Sequence, residues 1–144
     1  LHLHKIITDK MERKITLTAA IFGVVAIILG AFAAHALKKV LGVSELNTFE
    51  TGVRYQMYHA LFLLFIGTTN AISDAAKKVI YFTTLSGTLL FSGSLYFLAL
   101  NNFLPFNFKP FGFVTPIGGL LFLTAWFWLF VNYHRKKHYF LSKM

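Results

Sequence analysis

The sequence predicts an all-α integral membrane protein, a four-helix bundle whose two termini lie in the cytoplasm. Hydrophobic residues make up 56% of the 144 residues and charged residues only 13%, and the mean hydropathy is +0.62. A chain with so few polar residues cannot cover the surface of a water-soluble domain. Four apolar stretches are also long enough to cross a hydrocarbon core of about 30 Å, which takes about 20 helical residues. We therefore expect a single transmembrane domain over residues 1–144.

The four predicted spans cover approximately residues 15–37, 54–72, 79–100 and 113–133. Backbone polar groups in lipid need partners within the chain, so we expect helices and not open strands. The connection from Ser73 to Lys78 is short enough to make spans two and three an antiparallel hairpin. Residues 1–10 precede Met11-Glu-Arg-Lys14, which resembles a natural start, and are interpreted as a non-native or upstream extension. Although Ala34-His-Ala36 resembles a signal-peptide cleavage site, the long apolar stretch before it favours a retained helix.

The distribution of positive charge predicts the orientation in a bacterial cell membrane. Four spans place both termini and the second loop on one side, which holds ten Lys and Arg residues against four on the other. The ten are Lys5, Lys10, Arg13, Lys14, Lys77, Lys78, Arg135, Lys136, Lys137 and Lys143, and the four are Lys38, Lys39, Arg54 and Lys109. By the positive-inside rule both termini are cytoplasmic. Without the residues before Met11 the ratio is eight to four, which gives the same orientation.

Composition also excludes several classes of function. The net charge of +9 does not indicate nucleic-acid binding, because the basic residues lie between and beyond apolar stretches and not on one soluble face. The chain has no cysteine, so a disulfide framework, a thiolate metal site and a cysteine nucleophile are excluded. No metal-binding motif accompanies the histidines, and we predict no catalytic residues, no metal and no cofactor.

The loop between the first two spans contains signals for helix ends. Gly42 is expected to end the first helix, and Ser44 or Asn47 to begin the next, with Glu50 three residues after Asn47 as in a capping box. Further apolar residues follow at helical spacing, at positions 46, 49 and 53. We therefore expect an amphipathic turn or two that lies at the membrane interface before span two.

Two histidines within apolar sequence, His35 and His59, mark the candidate site. On a helix, Tyr55 and Gln56 lie on the same side as His59, and the predicted topology places His35 in the same outer half of the membrane. We interpret these four residues as a structural polar network, with ligand binding as the alternative, since polar groups within a membrane are functional candidates. Glu50 and Arg54 are spaced for an ion pair along the helix.

Small residues within the spans indicate where helices approach each other closely. The predicted packing positions are Gly23, Gly30 and Ala34 in span one, Gly87 and Gly93 in span three, and Gly118 and Gly119 in span four. The phenylalanine-rich loop of residues 103–113 is expected to enter the outer interface or to dock a partner.

Three motifs, in order, resemble a known family. They are Gly30-Ala-Phe-Ala-Ala-His-Ala-Leu-Lys38, then Phe49-Glu-Thr-Gly-Val-Arg-Tyr-Gln-Met-Tyr-His-Ala-Leu61, then Thr115-Pro-Ile-Gly-Gly119 followed by Ala125-Trp126. With them the chain resembles the bacterial domain-of-unknown-function family 423, which is related to the eukaryotic transmembrane protein 256 group. The resemblance implies a small multi-span membrane protein and supplies no reaction, substrate or site residue.

The leading functional hypothesis is a non-enzymatic interaction or accessory protein that packs against other membrane subunits or against itself, within the lipid bilayer. The alternative is a protein that binds a small molecule, lipid headgroup, quinone or cofactor through the cluster around His35 and His59. An oligomeric transporter or channel is a weaker alternative, because four short spans lack the repeated broken helices of transporters.

Overall fold

The computed structural model describes the backbone of residues 2–141 and the side chains of residues 10–135. Over that range the chain forms four long helices and no strand: α1 (His2–His35), α2 (Val43–Thr68), α3 (Asp74–Ala99) and α4 (Val114–Leu141). Single 3-10 turns at Leu37–Lys39, Asn101–Phe103 and Lys109–Phe111 lie in the connections. The predicted all-α membrane bundle is thereby confirmed. The side chains of Lys5, Lys136, Lys137 and Lys143, which were used to predict orientation, lie outside the described residues.

Helix α2 begins slightly before the predicted start positions, and it lacks the predicted side-chain cap. Its N-cap is Gly42, which makes no side-chain cap bond, and Val43 is its first residue. The expectation that Ser44 or Asn47 begins the helix was therefore wrong, and so was the expectation that α1 continues to Gly42. The beginning of α2 packs against α1 and α3, because Phe49, 1% exposed, lies with Ala33 and Ala99 in an apolar cluster.

The helices pack in chain order, α1 against α2, α2 against α3 and α3 against α4. Helix α2 runs antiparallel to α1 along its whole length. A side chain at Gly30 would meet Val53, while one at Gly67 would meet Thr16 at the far end of α1. We call the end of the bundle that contains the α2–α3 connection the hairpin end, and the opposite end, which contains Asn101, the loop end.

Among the described residues, three segments have the length and hydropathy of membrane spans: Lys10–Lys39, Asp74–Ala99 and Lys109–Arg135, whose apolar 18-residue windows have mean hydropathies of 2.5, 1.3 and 1.8. Helix α2 is not among them, because it carries several charged and amide side chains. It nevertheless lies beside α1 from the loop end to the hairpin end. Helix α2 is therefore the polar member of the bundle, and its partners bury its Gln56 and His59 side chains.

Glycines allow the closest approach between α3 and α4. A Cβ atom at Gly118 would lie 2.4 Å from the backbone nitrogen of Phe91, and one at Gly87 would lie 2.8 Å from the Phe122 ring. Gly119 lies beside the Phe91 ring, 3.8 Å from where its Cβ would be. On α1, by contrast, no atom lies within 4 Å of a Cβ built at Gly23.

The remaining small residues also fall into two groups, those in open space and those in close helix contacts. Gly93, like Gly23, has open space around it, and Ala34 is exposed. The small residues of α1 that the bundle does bury are Ala19, Ala26 and Ala33, spaced by seven residues. Two glycines outside the predicted set, Gly52 and Gly67, are closely packed.

A buried ion pair joins the beginnings of α1 and α3 at the hairpin end. The Nζ atom of Lys77 donates a hydrogen bond to Oε1 of Glu12, and the Lys77 side chain is only 2% exposed, against 28% for Glu12. A buried ammonium without a partner is strongly destabilising. Glu12 therefore neutralises a charge that α3 carries into the bundle.

We predict that Glu12→Gln lowers the free energy of unfolding by about 2–3 kcal/mol, less than a fully buried pair costs to break because Glu12 is partly exposed. Adding Lys77→Met should restore most of this loss, since no unpaired charge then remains. Equilibrium unfolding in mixed detergent micelles measures both effects. Lys78→Met, at an exposed neighbour, is the control, and equal effects of Glu12→Gln and Lys78→Met would contradict the prediction.

Candidate functional site

Gln56 and His59 lie three residues apart on α2 and are both buried, but they face different helices. The Gln56 Nε2 atom donates to the backbone oxygen of Phe22 on α1 at 2.9 Å. The hydroxyl of Tyr96 on α3 donates to Gln56 Oε1 at 2.8 Å. A single amide side chain therefore joins α1, α2 and α3.

His59 faces α4, and its two ring nitrogens have different partners. The indole Nε1 of Trp126 lies 3.3 Å from His59 Nε2, and the backbone oxygen of Tyr55 lies 2.8 Å from His59 Nδ1. Indole N–H is a donor only and a carbonyl oxygen is an acceptor only, so this network assigns the proton to Nδ1. The imidazole is then neutral, with Nε2 as an acceptor.

Aromatic rings surround His59. Its ring stacks on Phe122 of α4, with centroids 3.5 Å apart and planes at 8°. Phe62 and Trp126 make a second contact between α2 and α4, with centroids 4.2 Å apart. Because the two helices meet through these large rings and not through closely packed backbones, they stay far enough apart to leave a space between them.

That space is a cleft of about 550 Å³ between α2 and α4, with Phe91 of α3 in its wall. Its lining includes Tyr55, His59, Phe91, Gly119, Phe122 and Trp126. The surrounding surface is apolar, since Leu120 and Leu123 at its edge are 64% and 66% exposed. The cleft therefore borders the face of the bundle that lipid covers, and its polar groups are the phenol, imidazole and indole of three lining residues.

The structure brings two of the four predicted polar residues into this cleft. Tyr55 and His59 line it, whereas Gln56 is engaged on the side of α1 and α3. His35 is exposed at the last position of α1 and does not line the cleft. It lies two residues from both Ala33 and Leu37, which face the bundle, and two residues turn the chain about 200° around a helix.

The predicted ion pair lies outside the cleft. Glu50 Oε2 is 3.8 Å from Arg54 Nη1, and both side chains are well exposed, at 40% and 50%. Exposed pairs of this kind contribute little to stability. Among the described residues, no three histidine, aspartate or glutamate side chains lie together as a metal site would require.

The α4 wall of the cleft was not predicted from the sequence. Gly119, Phe122 and Trp126 follow at helical spacing, so they share one face of α4. No local pattern links Trp126 to His59, because the two residues are 67 positions apart in the chain. The glycine, phenylalanine and tryptophan on one face were the available signal.

Comparisons with known proteins bear on what this bundle is. The family model described as "Protein of unknown function (DUF423)" matches residues 29–119. The UPF0382 inner membrane protein YgdD of Escherichia coli strain K12 is 38% identical over 129 residues, which cover 88% of this chain and 93% of that protein. The chain belongs to the DUF423 family.

Other relatives are similar to the chain over most of their length. A UPF0382 membrane protein of Staphylococcus saprophyticus is 36% identical over 78% of this chain and 90% of its own. One from Haemophilus influenzae is 36% identical over 81% and 90%. No solved structure is significantly similar to the chain. These relatives support a location in the membrane, and their names state no reaction or ligand.

We predict that Gln56→Leu lowers the free energy of unfolding by about 2 kcal/mol, because it removes two interhelical hydrogen bonds and leaves the Tyr96 hydroxyl without its partner. Tyr96→Phe removes one of these bonds and should cost about 1 kcal/mol. The double variant should cost less than the sum of the two, since the residues share a bond. Equilibrium unfolding in mixed micelles gives all three values.

The matched control is Tyr58→Phe, which removes the hydroxyl of a tyrosine that is 53% exposed on the same helix. It should leave stability unchanged. Strict additivity of Gln56→Leu and Tyr96→Phe would show that the amide does not couple α2 to α3.

Proposed function

We propose that this protein binds a lipid-soluble, uncharged molecule with a planar ring, of the quinone class, in the cleft between α2 and α4. The observation that carries the proposal is the 550 Å³ cleft with aromatic walls beside the hydrogen-bonded pair of buried His59 and half-exposed Trp126. This volume falls within the range of small-molecule sites, which combine apolar walls with a few polar groups. The cleft opens toward lipid, so the ligand would enter from the bilayer.

The chemistry of the lining supports an uncharged ligand. The rings of Tyr55, Phe91 and Phe122 offer faces and edges for stacking, which another planar ring can use. The assigned tautomer gives His59 no charge, and no lining residue of the cleft is an acid, lysine or arginine. The indole N–H of Trp126 is held by a long hydrogen bond of 3.3 Å, and a ligand carbonyl is a suitable alternative acceptor.

The accessory role favoured by the sequence is the second candidate. It is supported by the open space around Gly23 and Gly93, where no atom lies within 4 Å of an added Cβ. Small residues on outward faces allow close contact with another membrane helix. Of the two candidates, we favour ligand binding, because the cleft is a formed space lined by aromatic rings and by the side chains of His59 and Trp126.

We predict saturable quenching of Trp126 fluorescence by 2-methyl-1,4-naphthoquinone, used as a probe. The chain has two tryptophans, so Trp128→Phe leaves Trp126 as the sole reporter. Gly119→Leu in that background should weaken the apparent affinity at least about tenfold, equivalent to about 1.4 kcal/mol. The larger side chain would occupy the cleft, since a Cβ at Gly119 meets only the Phe91 ring at ordinary contact distance.

Gly23→Leu is the matched control, because it makes the same substitution where α1 has open space. It should leave quenching unchanged. Quenching that rises without saturation, or equally in both variants, would rule out the cleft as a site for this class of ligand.

Native mass spectrometry of protein extracted under mild conditions separates the two candidate functions. A small molecule that is retained by the wild-type protein and lost in Gly119→Leu supports ligand binding. A protein that co-purifies equally with wild type and Gly119→Leu, without a small molecule, supports the accessory role. In that second outcome, Gly23→Leu should release the partner if α1 is the contact face.

We further propose that the hairpin end of the bundle and both termini are cytoplasmic, on the strength of the uneven distribution of positive charge. Because the chain has no cysteine, single cysteines can be introduced directly at exposed Ala75 and Asn102. An impermeant maleimide should label Asn102→Cys in intact cells, and Ala75→Cys only after the cells are opened. The reverse pattern would invert the proposed orientation.

A further inference from the structure

Helix α3 carries a line of polar side chains along the face that it buries. Six residues follow at intervals of three or four, which places them on one side of a helix: Lys77, Tyr81, Thr84, Thr88, Ser92 and Tyr96. The line extends over 19 residues, about 28 Å at 1.5 Å per residue. It therefore covers about the full thickness of a hydrocarbon core.

The two ends of this line have partners on other helices. At the hairpin end, Lys77 pairs with Glu12, and the Tyr81 hydroxyl lies 3.1 Å from Thr18 Oγ1. At the loop end, Ser92 Oγ donates to the backbone oxygen of Gly52 at 2.7 Å, and Tyr96 donates to Gln56. These four residues are accounted for as interhelical contacts.

The two residues in the middle differ. Thr84 and Thr88 are 0% and 3% exposed, and neither hydroxyl has a hydrogen-bond partner among the described residues. A helical threonine commonly donates to the carbonyl one turn before it. Seven other threonines with described side chains do so: Thr16, Thr18, Thr48, Thr51, Thr68, Thr83 and Thr124. Thr84 and Thr88 do not make this local bond although they are buried.

Buried hydroxyls without partners are unfavourable, and within a bilayer bulk solvent does not satisfy them. The two hydroxyls lie one turn apart, where Cβ atoms of a helix are about 5–6 Å from each other. One small molecule that both donates and accepts hydrogen bonds can bridge groups at that spacing. Water meets this requirement, because it offers two donors and two acceptors, and each hydroxyl can donate or accept.

We propose that Thr84 and Thr88 form a binding site for water in the middle of the bundle, bridged by one shared molecule. The site is separate from the cleft, which neither threonine lines, and it does not depend on the proposed ligand. With water bound, polar groups able to form hydrogen bonds follow one another along α3 from Lys77 to Tyr96. The threonine hydroxyls thus hold the central position of a polar line that crosses the bundle.

Threonine-to-valine substitutions test this proposal, because valine keeps the shape of threonine and removes its hydroxyl. The decisive observation is whether they raise or lower the unfolding equilibrium constant. If water bridges the hydroxyls, Thr84→Val and Thr88→Val should each raise the unfolding equilibrium constant about fivefold. The double variant should raise it by less than the product of the two, because both hydroxyls share one molecule. Equilibrium unfolding in mixed micelles measures all three constants.

Thr83→Val is the matched control, since its hydroxyl bonds locally to the Val79 carbonyl oxygen and it lies next to the site. Removal of an unpaired hydroxyl would instead lower the unfolding constant. The proposal is overturned if Thr84→Val and Thr88→Val stabilise the protein, or if their effects equal that of Thr83→Val.

A second measurement uses the unmodified sequence and so does not depend on the folding of variants. In methyl-labelled protein in micelles, magnetisation transfer from water should reach the methyl groups of Thr84 and Thr88. The methyl of Ala26, 1% exposed on α1, should show no transfer. Transfer to the two threonines that is as weak as to Ala26 would also overturn the proposal.

Discussion

Gln56 and His59, the buried polar side chains of α2, must be satisfied by other helices, and most of the structure follows from that constraint. Within lipid a polar group has no solvent partner, so it requires one from a neighbouring helix. Gln56 bonds to α1 and α3, and His59 accepts a hydrogen bond from α4. Two residues three positions apart thereby connect α2 to each of the other helices, which explains why the most polar helix lies between its partners.

Helices α3 and α4 are in close contact, whereas α2 and α4 are separated by a cleft. The size of the side chains between them accounts for the difference. Gly87 and Gly118 allow α3 and α4 to approach until backbone meets backbone. Between α2 and α4 the contact is instead a stack of the His59 and Phe122 rings. Helix α4 is therefore close to α3 and distant from α2, and the cleft is a geometric result of this unequal spacing.

Hydropathy and charge alone could predict the class of fold and the approximate positions of the helices. A start of α2 ahead of span two was predicted, but the cap is Gly42 and not Ser44 or Asn47, and the packing of Phe49 against Ala33 and Ala99 is a contact that no local signal reveals. Helical spacing placed Gln56 and His59 on one broad side, yet the 60° between them directs each to a different helix. His35 was grouped with them because of its predicted depth in the membrane. Whether its side chain faces the bundle depends on which side of α1 packs against the other helices, and that side was not predicted. Glu12 had no visible role in the sequence because its partner Lys77 is 65 residues away.

The modest hydropathy of α2 also has a consequence for how the protein is made. A segment with glutamates, an arginine, an amide and an imidazole partitions poorly into lipid by itself. Helix α1 precedes it and lies in the segment of highest mean hydropathy, 2.5. During biogenesis we expect α1 to remain beside the insertion machinery until α2 emerges, so that both enter the bilayer as a preassembled hairpin. The order of the first two helices along the chain would thus assist insertion, because the apolar α1 enters the bilayer with the more polar α2 beside it.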